Sequence, residues 1–202
     1  MIAVIDYGVG NLFSLSSSLQ SLGLETEVTR DPAQIAAADR IILPGVGAFG
    51  DAMDKLTDTG LVPVLREQAK QKPLLGICLG MQLLFEKGYE YGQHQGLGLI
   101  GGVVAPLADD LADPSLKVPH IGWNALHLLK QDPLFRYLRE GEYVYYVHSF
   151  YGKDCAESTL ATSEYSIPVT GVVKSGRVYG TQFHPEKSGD TGLRILRAFA
   201  EL

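Results

Sequence analysis

Cysteine is scarce in this chain, with two residues, Cys78 and Cys155, among 202. So few thiols exclude a disulfide framework, and a chain of this length buries enough apolar surface to do without one. The opening residues MIAVIDYG carry neither a basic region nor the apolar run of a signal peptide, so both thiols are expected free, in a reducing cytoplasm. Long apolar runs are missing too. Pro73 to Phe85 is uncharged for only thirteen residues, short of the roughly 20 that a membrane helix needs. The uncharged stretch Tyr91 to Ala108 is broken by five glycines and a proline, so no membrane association is expected. There is no basic block, and Lys+Arg 17 against Asp+Glu 23 leaves a net charge of −6, which argues against nucleic acid or an anionic membrane as partner. The five histidines have no metal-ligand spacing, so no metal is expected. Repeats, low-complexity tracts and linkers are absent, which favours one domain over residues 1–202.

What is present is an alternation of short apolar runs with helical spacing. Ile2 to Ile5 reads as a strand buried on both faces. Asn11 is placed to cap a helix carrying Leu12, Leu15, Leu19 and Leu22, which Gly23 ends. A strand over Leu24 to Thr29 leads to Asp31-Pro32, the cap and first residue of a short helix, and then to the apolar run Arg40 to Leu43. Met53, Leu56, Leu61 and Leu65 mark a helical region that stops at Lys72-Pro73. Leu74 to Ile77 is the next strand, running into a helix over Leu79 to Lys87 closed by Gly88. This alternation predicts a parallel sheet covered on both faces. Glycines crowd residues 92–102, and Pro106 to Pro119 is polar, acidic and proline-bearing; together they read as a long surface excursion. From Tyr143 onward, alternating Tyr and Val, a strand near Thr159 to Thr162 and a hairpin turn at Ser175-Gly176 predict antiparallel or mixed strands. Thr191 to Leu202 reads as the closing helix.

Three segments carry chemistry. In Gly76-Ile77-Cys78-Leu79-Gly80-Met81-Gln82 a cysteine lies where an apolar strand meets a helix, with glycines two residues to either side. That is the pattern of a nucleophile elbow: a strained strand-to-helix turn needs small neighbours and presents the side chain at the carboxyl end of the sheet, where open α/β folds bind ligands. Phe183-His184-Pro185-Glu186-Lys187-Ser188 supplies a proton-handling partner. Proline pushes His184 into extended geometry, and on an extended chain residues two apart share a face, so Glu186 can orient the imidazole. Residues 45–50, GVGAFG, match the dinucleotide fingerprint but do not open the first β-α unit and lack the distant acidic residue at a strand end, so no cofactor is expected. A glycine-rich loop at Pro44-Gly45-Val46-Gly47 is better suited to turning a backbone N–H toward a tetrahedral intermediate. His94 and His127 read as structural or solvated, His120 and His148 as able to reach a ligand, and Cys155 as incidental.

Taken together, GICLGMQ, FHPEKS and PGVGAF in this order resemble the class I (triad) glutamine amidotransferases. Asp6 to Asn11 (DYGVGN) and Pro119 to Asn124 (PHIGWN) narrow the resemblance, over the whole length, to the glutaminase subunits of imidazole glycerol phosphate synthases. The resemblance implies a flavodoxin-like open sheet, mixed but mainly parallel, with helices on both faces. It implies Cys78 as nucleophile, His184 as general acid and base, and Glu186 as the acid that orients it. It places Val46, Gly47 and Leu79 at the oxyanion site, Gln82, His148, Ser149 and Phe150 at the glutamine site, and Trp123 and Lys187 at a partner interface. Phe150 stands where the family often has Tyr, so no hydroxyl contact is implied there. The implied activity is hydrolysis of L-glutamine through a γ-glutamyl thioester, with ammonia passed to a (β/α)8 synthase subunit in a heterodimer of histidine biosynthesis. A glutaminase subunit serving another ammonia-consuming synthase, such as that of vitamin B6 synthesis, or a γ-glutamyl hydrolase would keep the triad. A non-catalytic flavodoxin-like binding module would need neither Cys78 nor His184.

Overall fold

The computed structural model describes residues 1–202. In chain order the elements are β1 (Ile2–Ile5), α1 (Leu12–Ser21), β2 (Thr26–Thr29), α2 (Pro32–Ala37), β3 (Arg40–Leu43), α3 (Phe49–Asp58), α4 (Leu61–Gln68), β4 (Leu74–Ile77) and α5 (Leu79–Leu83). There follow β5 (Phe85–Gly88), β6 (His94–Gln95), β7 (Ile100–Pro106), β8 (His120–Ala125), β9 (His127–Leu128), β10 (Tyr143–His148), β11 (Phe150–Lys153), β12 (Thr159–Glu164), β13 (Pro168–Ser175), β14 (Val178–Thr181) and α6 (Gly189–Ala200). The main sheet runs β2-β1-β3-β4-β14-β13-β12-β9. Its first five strands are parallel and the rest antiparallel, which is the open, mixed sheet implied by the resemblance. No helix is long and apolar enough to cross a membrane.

Side-chain alternation along the central strands builds two cores. Ile41, Leu43 and Leu74 face α2, α3 and α4, while Ile42, Leu75 and Ile77 face α1 and α6. A strand with apolar residues on both faces can only lie between two layers of helices. The first caps follow the local chemistry: Asn11 Oδ1 accepts from Ser14 N at 3.2 Å, and Asp31 Oδ1 accepts from Ala33 N at 2.8 Å with Pro32 in the first turn.

Several expectations are corrected. The helix over Leu79 to Lys87 ends at Leu83, and Phe85–Gly88 is a strand. Leu83, Leu84 and Phe85 are all fully buried, so the run had no polar face to distinguish helix from strand. Gly88 does not close a helix; a Cβ there would meet the Phe49 ring at 2.7 Å. The excursion after Gly88 is not all loop, because β6 and β7 join β5 and β11 in a second sheet ordered β11-β7-β5-β6. Gly102 in β7 takes φ +107, and a Cβ on it would lie 2.6 Å from the Lys153 carbonyl oxygen. The helical region from Met53 is two helices broken at Gly60, whose φ is +72. The hairpin pairs Ser175 with Val178, so its turn is Gly176-Arg177, one residue later than the sequence suggested.

The elbow after β4 is pressed against β3. A Cβ on Gly80 would fall 1.9 Å from the Leu43 carbonyl oxygen, and one on Gly76 would fall 2.6 Å from the Gly80 carbonyl oxygen. Gly80→Ala is therefore expected to lower stability by about 3 kcal/mol through backbone displacement, whereas Gly101→Ala, with nothing within 4 Å of its built Cβ, should stay within about 0.5 kcal/mol of the parent. Urea unfolding of the two variants checks the contrast.

Candidate active site

At the end of β4 the chain turns through Cys78 with φ 54 and ψ −112, a left-handed conformation that few non-glycine residues adopt. The turn is held by its own backbone, since Cys78 N donates to the Thr181 carbonyl on β14 at 2.7 Å. Backbone strain of this kind is sustained only where the surroundings over-determine it. Gly76 and Gly80 flank it where backbone approaches backbone too closely for a Cβ. Cys78 Sγ lies 3.9 Å from the Val147 carbonyl oxygen and accepts from Gln182 Nε2 at 3.8 Å.

His184 follows β14, whose parallel pairing with β4 brings it to the Cys78 turn from more than a hundred residues away. Its N–H donates to the Tyr145 carbonyl at 3.0 Å, and its Nδ1 pairs with Glu186 Oε1 at 2.8 Å. Both side chains are buried. Burial opposes a charge on His184, but the neighbouring Cys78 sulfur and the hydrogen-bonded Glu186 carboxylate outweigh it and raise the imidazole to about 9. Ser188 Oγ fixes the same turn, donating to the His184 carbonyl at 2.7 Å and accepting from Tyr145 N at 2.9 Å.

A cavity of about 380 Å³ opens over these groups. It is lined by Val46, Gly47, Cys78, Leu79, Gln82, Glu90, Pro119, Val147, His148, Ser149, Phe150, His184 and Lys187. The expected oxyanion residues Val46, Gly47 and Leu79 thus lie together. Tyr7 Oη donates to the Pro44 carbonyl at 2.8 Å, and a Cβ on Gly45 would meet Gly80 N at 2.7 Å, so the loop is held against the elbow up to Gly45. Beyond it Gly47 takes φ +101 and Val46 is exposed. Leu79, as the first residue of α5, has an N–H without a partner inside that helix. Gln82, His148, Ser149 and Phe150 line the same cavity, where Gln82 Nε2 donates to the Phe150 carbonyl at 2.9 Å and to Gln182 Oε1 at 3.2 Å. Lys187 reaches the rim, while Trp123 lies outside the cavity on β8, 51% exposed and edge-on to Tyr145 at 5.8 Å.

Two lining or supporting groups were not foreseen. Glu90 reaches the cavity through a turn in which Tyr91 and Gly92 have φ 55 and 125, and its Oε2 accepts from Phe49 N at 2.7 Å, capping α3. No local pattern marks it. Gln182 stands two residues before His184, so its adjacency to the motif was the available signal. Cys155 is buried elsewhere, beside Thr159 and Thr170, and no cluster of His, Cys, Asp or Glu is arranged to hold a metal ion.

Residues 3–201 match the family described as glutamine amidotransferase class-I. The chain is 50% identical, over 100% of its length and 96% of the other protein, to imidazole glycerol phosphate synthase subunit HisH of Listeria monocytogenes serovar 1/2a. It is 46% identical, over 100% of both chains, to the same subunit of Wolinella succinogenes. Among solved structures, a crystal structure of a glutamine amidotransferase superposes with a TM-score of 0.77 at 18% identity, covering 100% of this chain and 98% of that one. The structure of PurLQS from Thermotoga maritima gives a TM-score of 0.75 at 19% identity, covering 99% of this chain and 97% of that one. At such identities the superpositions speak for the fold, and the sequence match for descent: this chain belongs to the class I glutamine amidotransferases.

Proposed function

We propose that the chain, as one domain over residues 1–202, is the glutaminase subunit of an imidazole glycerol phosphate synthase. It hydrolyses L-glutamine and hands the ammonia to a (β/α)8 synthase subunit in a cytoplasmic heterodimer, for formation of imidazole glycerol phosphate and aminoimidazole carboxamide ribotide. The observation that carries the reading is the positive-φ turn at Cys78, which opens into the same cavity as His184, whose Nδ1 pairs with buried Glu186. Identity of 46–50% across the full chain to HisH subunits supports the choice of pathway.

In this reading Cys78 Sγ attacks the side-chain amide carbon of glutamine. The carbonyl π electrons move to oxygen, and backbone N–H groups of Gly47 and Leu79 take up the developing charge. His184, holding its proton, delivers it to the leaving nitrogen as the C–N bond breaks, and ammonia departs from a γ-glutamyl thioester. The imidazole then accepts a proton from water attacking the thioester and keeps it as the C–S bond breaks, so that sulfur leaves with its bonding pair, glutamate forms and His184 again holds the proton it needs for the next turnover. Glu186 keeps the imidazole oriented through Nδ1. Glu90 supplies a carboxylate on the cavity wall for the α-ammonium of the substrate, and Lys187 and Trp123 meet the synthase subunit.

Cys78→Ala is expected to abolish glutamate release without changing thermal stability by more than about 1 kcal/mol. A glutamine-derived chloroketone should label Cys78 and spare Cys155; peptide mapping of the adduct decides.

The pH dependence follows from the raised His184 imidazole. As pH rises through about 9 the proton needed by the leaving ammonia is lost, so kcat/KM for glutamine should fall on that limb. Glu186→Gln removes one of the interactions that hold this proton, so the limb should move to lower pH and His184→Ala should lose at least as much rate as Glu186→Gln. An unmoved limb in Glu186→Gln would detach Glu186 from the proton on His184.

A glutaminase acting alone would waste its substrate, so the isolated chain should release little glutamate until the synthase subunit and its nucleotide ligand are added. The glycines flanking Val46 make rotation of that peptide cheap, and withdrawing one oxyanion donor costs about 10²–10³ in rate. Lys187→Ala should reduce stimulation by the liganded partner while Cys78 labelling proceeds as before. Stimulation equal to wild type would return Lys187 to solvent.

A further inference from the structure

Behind the cavity wall lies a hydrogen-bonded chain that the triad chemistry does not use. His148 Nδ1, at the end of β10, donates to the Phe150 carbonyl at 2.8 Å. Its Nε2 lies 3.0 Å from His120 Nδ1 on β8. His120 Nε2 lies 2.8 Å from Asn124 Oδ1, and Asn124 Nδ2 donates to the Glu164 carbonyl at 3.0 Å. Both imidazoles are buried.

The two ends of this chain are carbonyl oxygens, which only accept. Each contact between them needs one hydrogen. Two neutral imidazoles bring one N–H apiece and the Asn124 amide donates on one side only, so the chain is one proton short. Turning the Asn124 amide over moves the conflict from His120 to the exposed end of the chain, where the amide oxygen would lie 3.0 Å from the Glu164 carbonyl oxygen, without removing it. One additional proton on the pair satisfies every contact. His120 is, besides, sandwiched between the rings of Tyr165 and Tyr146, with centroids at 3.9 and 4.9 Å and interplanar angles of 22° and 21°, a setting whose π faces attract a cation. Burial works the other way, pushing both rings toward neutrality and His148 down to about 4, and the charge on His184 adds to the opposition. No carboxylate touches either ring; Tyr146, Tyr165 and Asn124 face His120, while Cys78, Glu90, His184 and Lys187 share the cavity that His148 lines. With the amide as it stands, Nδ2 on the Glu164 carbonyl, neutral rings would leave a contact of buried His120 without a hydrogen, which forfeits the solvation of both groups and opposes that push.

We propose that His120 and His148 share one extra proton as a buried monocation and act as positioning residues for the glutamine site. The pair fixes the Phe150 carbonyl, which also accepts from Gln82 Nε2. Through it the wall from Val147 to Phe150 is tied to β8, the strand whose other residues Ile121 and Trp123 are exposed. The positioning role rests on the glutaminase reading, whereas the proton count does not.

Long-range proton–nitrogen correlation spectra of the full chain labelled with ¹⁵N-histidine, recorded near pH 7, count the protons directly. Three ring N–H protons on the pair are expected; two, with both rings neutral, would overturn the shared proton. Asn124→Leu removes the acceptor next to His120, so two neutral rings suffice and the third proton should disappear. Its persistence in that variant would equally overturn the proposal. His120→Phe keeps the stack between the tyrosines and ends the sharing; KM for glutamine should rise about five- to tenfold, with kcat moving less than about twofold. An unchanged KM overturns the positioning role. Absence of any glutamate release from the wild-type chain with its synthase subunit would refute the glutaminase reading and the positioning role with it, while the proton count stands or falls on the spectra.

Discussion

Everything at the cavity depends on how closely the turn after β4 approaches the end of β3. The glycines at 76 and 80 let backbone pack on backbone at distances that admit no side chain. Where the elbow is pressed that close, the single residue between strand and helix, Cys78, takes a positive φ of 54. The same contact sets the Pro44–Gly47 loop beside Leu79, so Cys78 and the groups proposed for the oxyanion site are brought together by one packing contact. A larger residue at either glycine would displace all of them at once.

The parts of this arrangement that sequence makes legible are those governed by short-range rules. Glycines flanking Cys78 declare an elbow, and His184 and Glu186 two apart across a proline declare a shared face, because both depend on local dihedral geometry. The caps at Asn11 and Asp31 are of the same kind. The run from Leu79 to Lys87 was misleading because complete burial erases the polar half of a periodic pattern. Gly102 resembled loop punctuation because the reason for it, a carbonyl of Lys153 where a Cβ would lie, belongs to a distant segment. Glu90 and the His120–His148 contact share that character: one needs the turn at Tyr91 and Gly92, the other the antiparallel register of β8 on β10. Neither has a signature within a window of neighbouring residues.

Two stretches of chain with different architectures thus meet at one point. Cys78 and the Gly45–Gly47 loop follow the parallel strands β4 and β3, and His184 and Glu186 follow β14, which pairs parallel with β4 on one side and antiparallel with β13 on the other. Open α/β sheets place ligands at the carboxyl ends of their strands, and here the boundary between the parallel and antiparallel parts falls beside that site.

The position of β14 also orders events during synthesis. Cys78 is anchored through its N–H to Thr181, yet about a hundred residues separate the two, a gap the ribosome takes on the order of 5–20 s to fill. During that interval β4, whose residues Leu74, Leu75, Gly76 and Ile77 are all buried in the finished protein, presents one unpaired edge. Such an edge invites pairing with other chains until β14 arrives. The strand that leads into His184 and Glu186 is therefore also the one that joins the two parts of the sheet, and both the pairing of β4 and the approach of His184 to Cys78 must wait until its residues have been made.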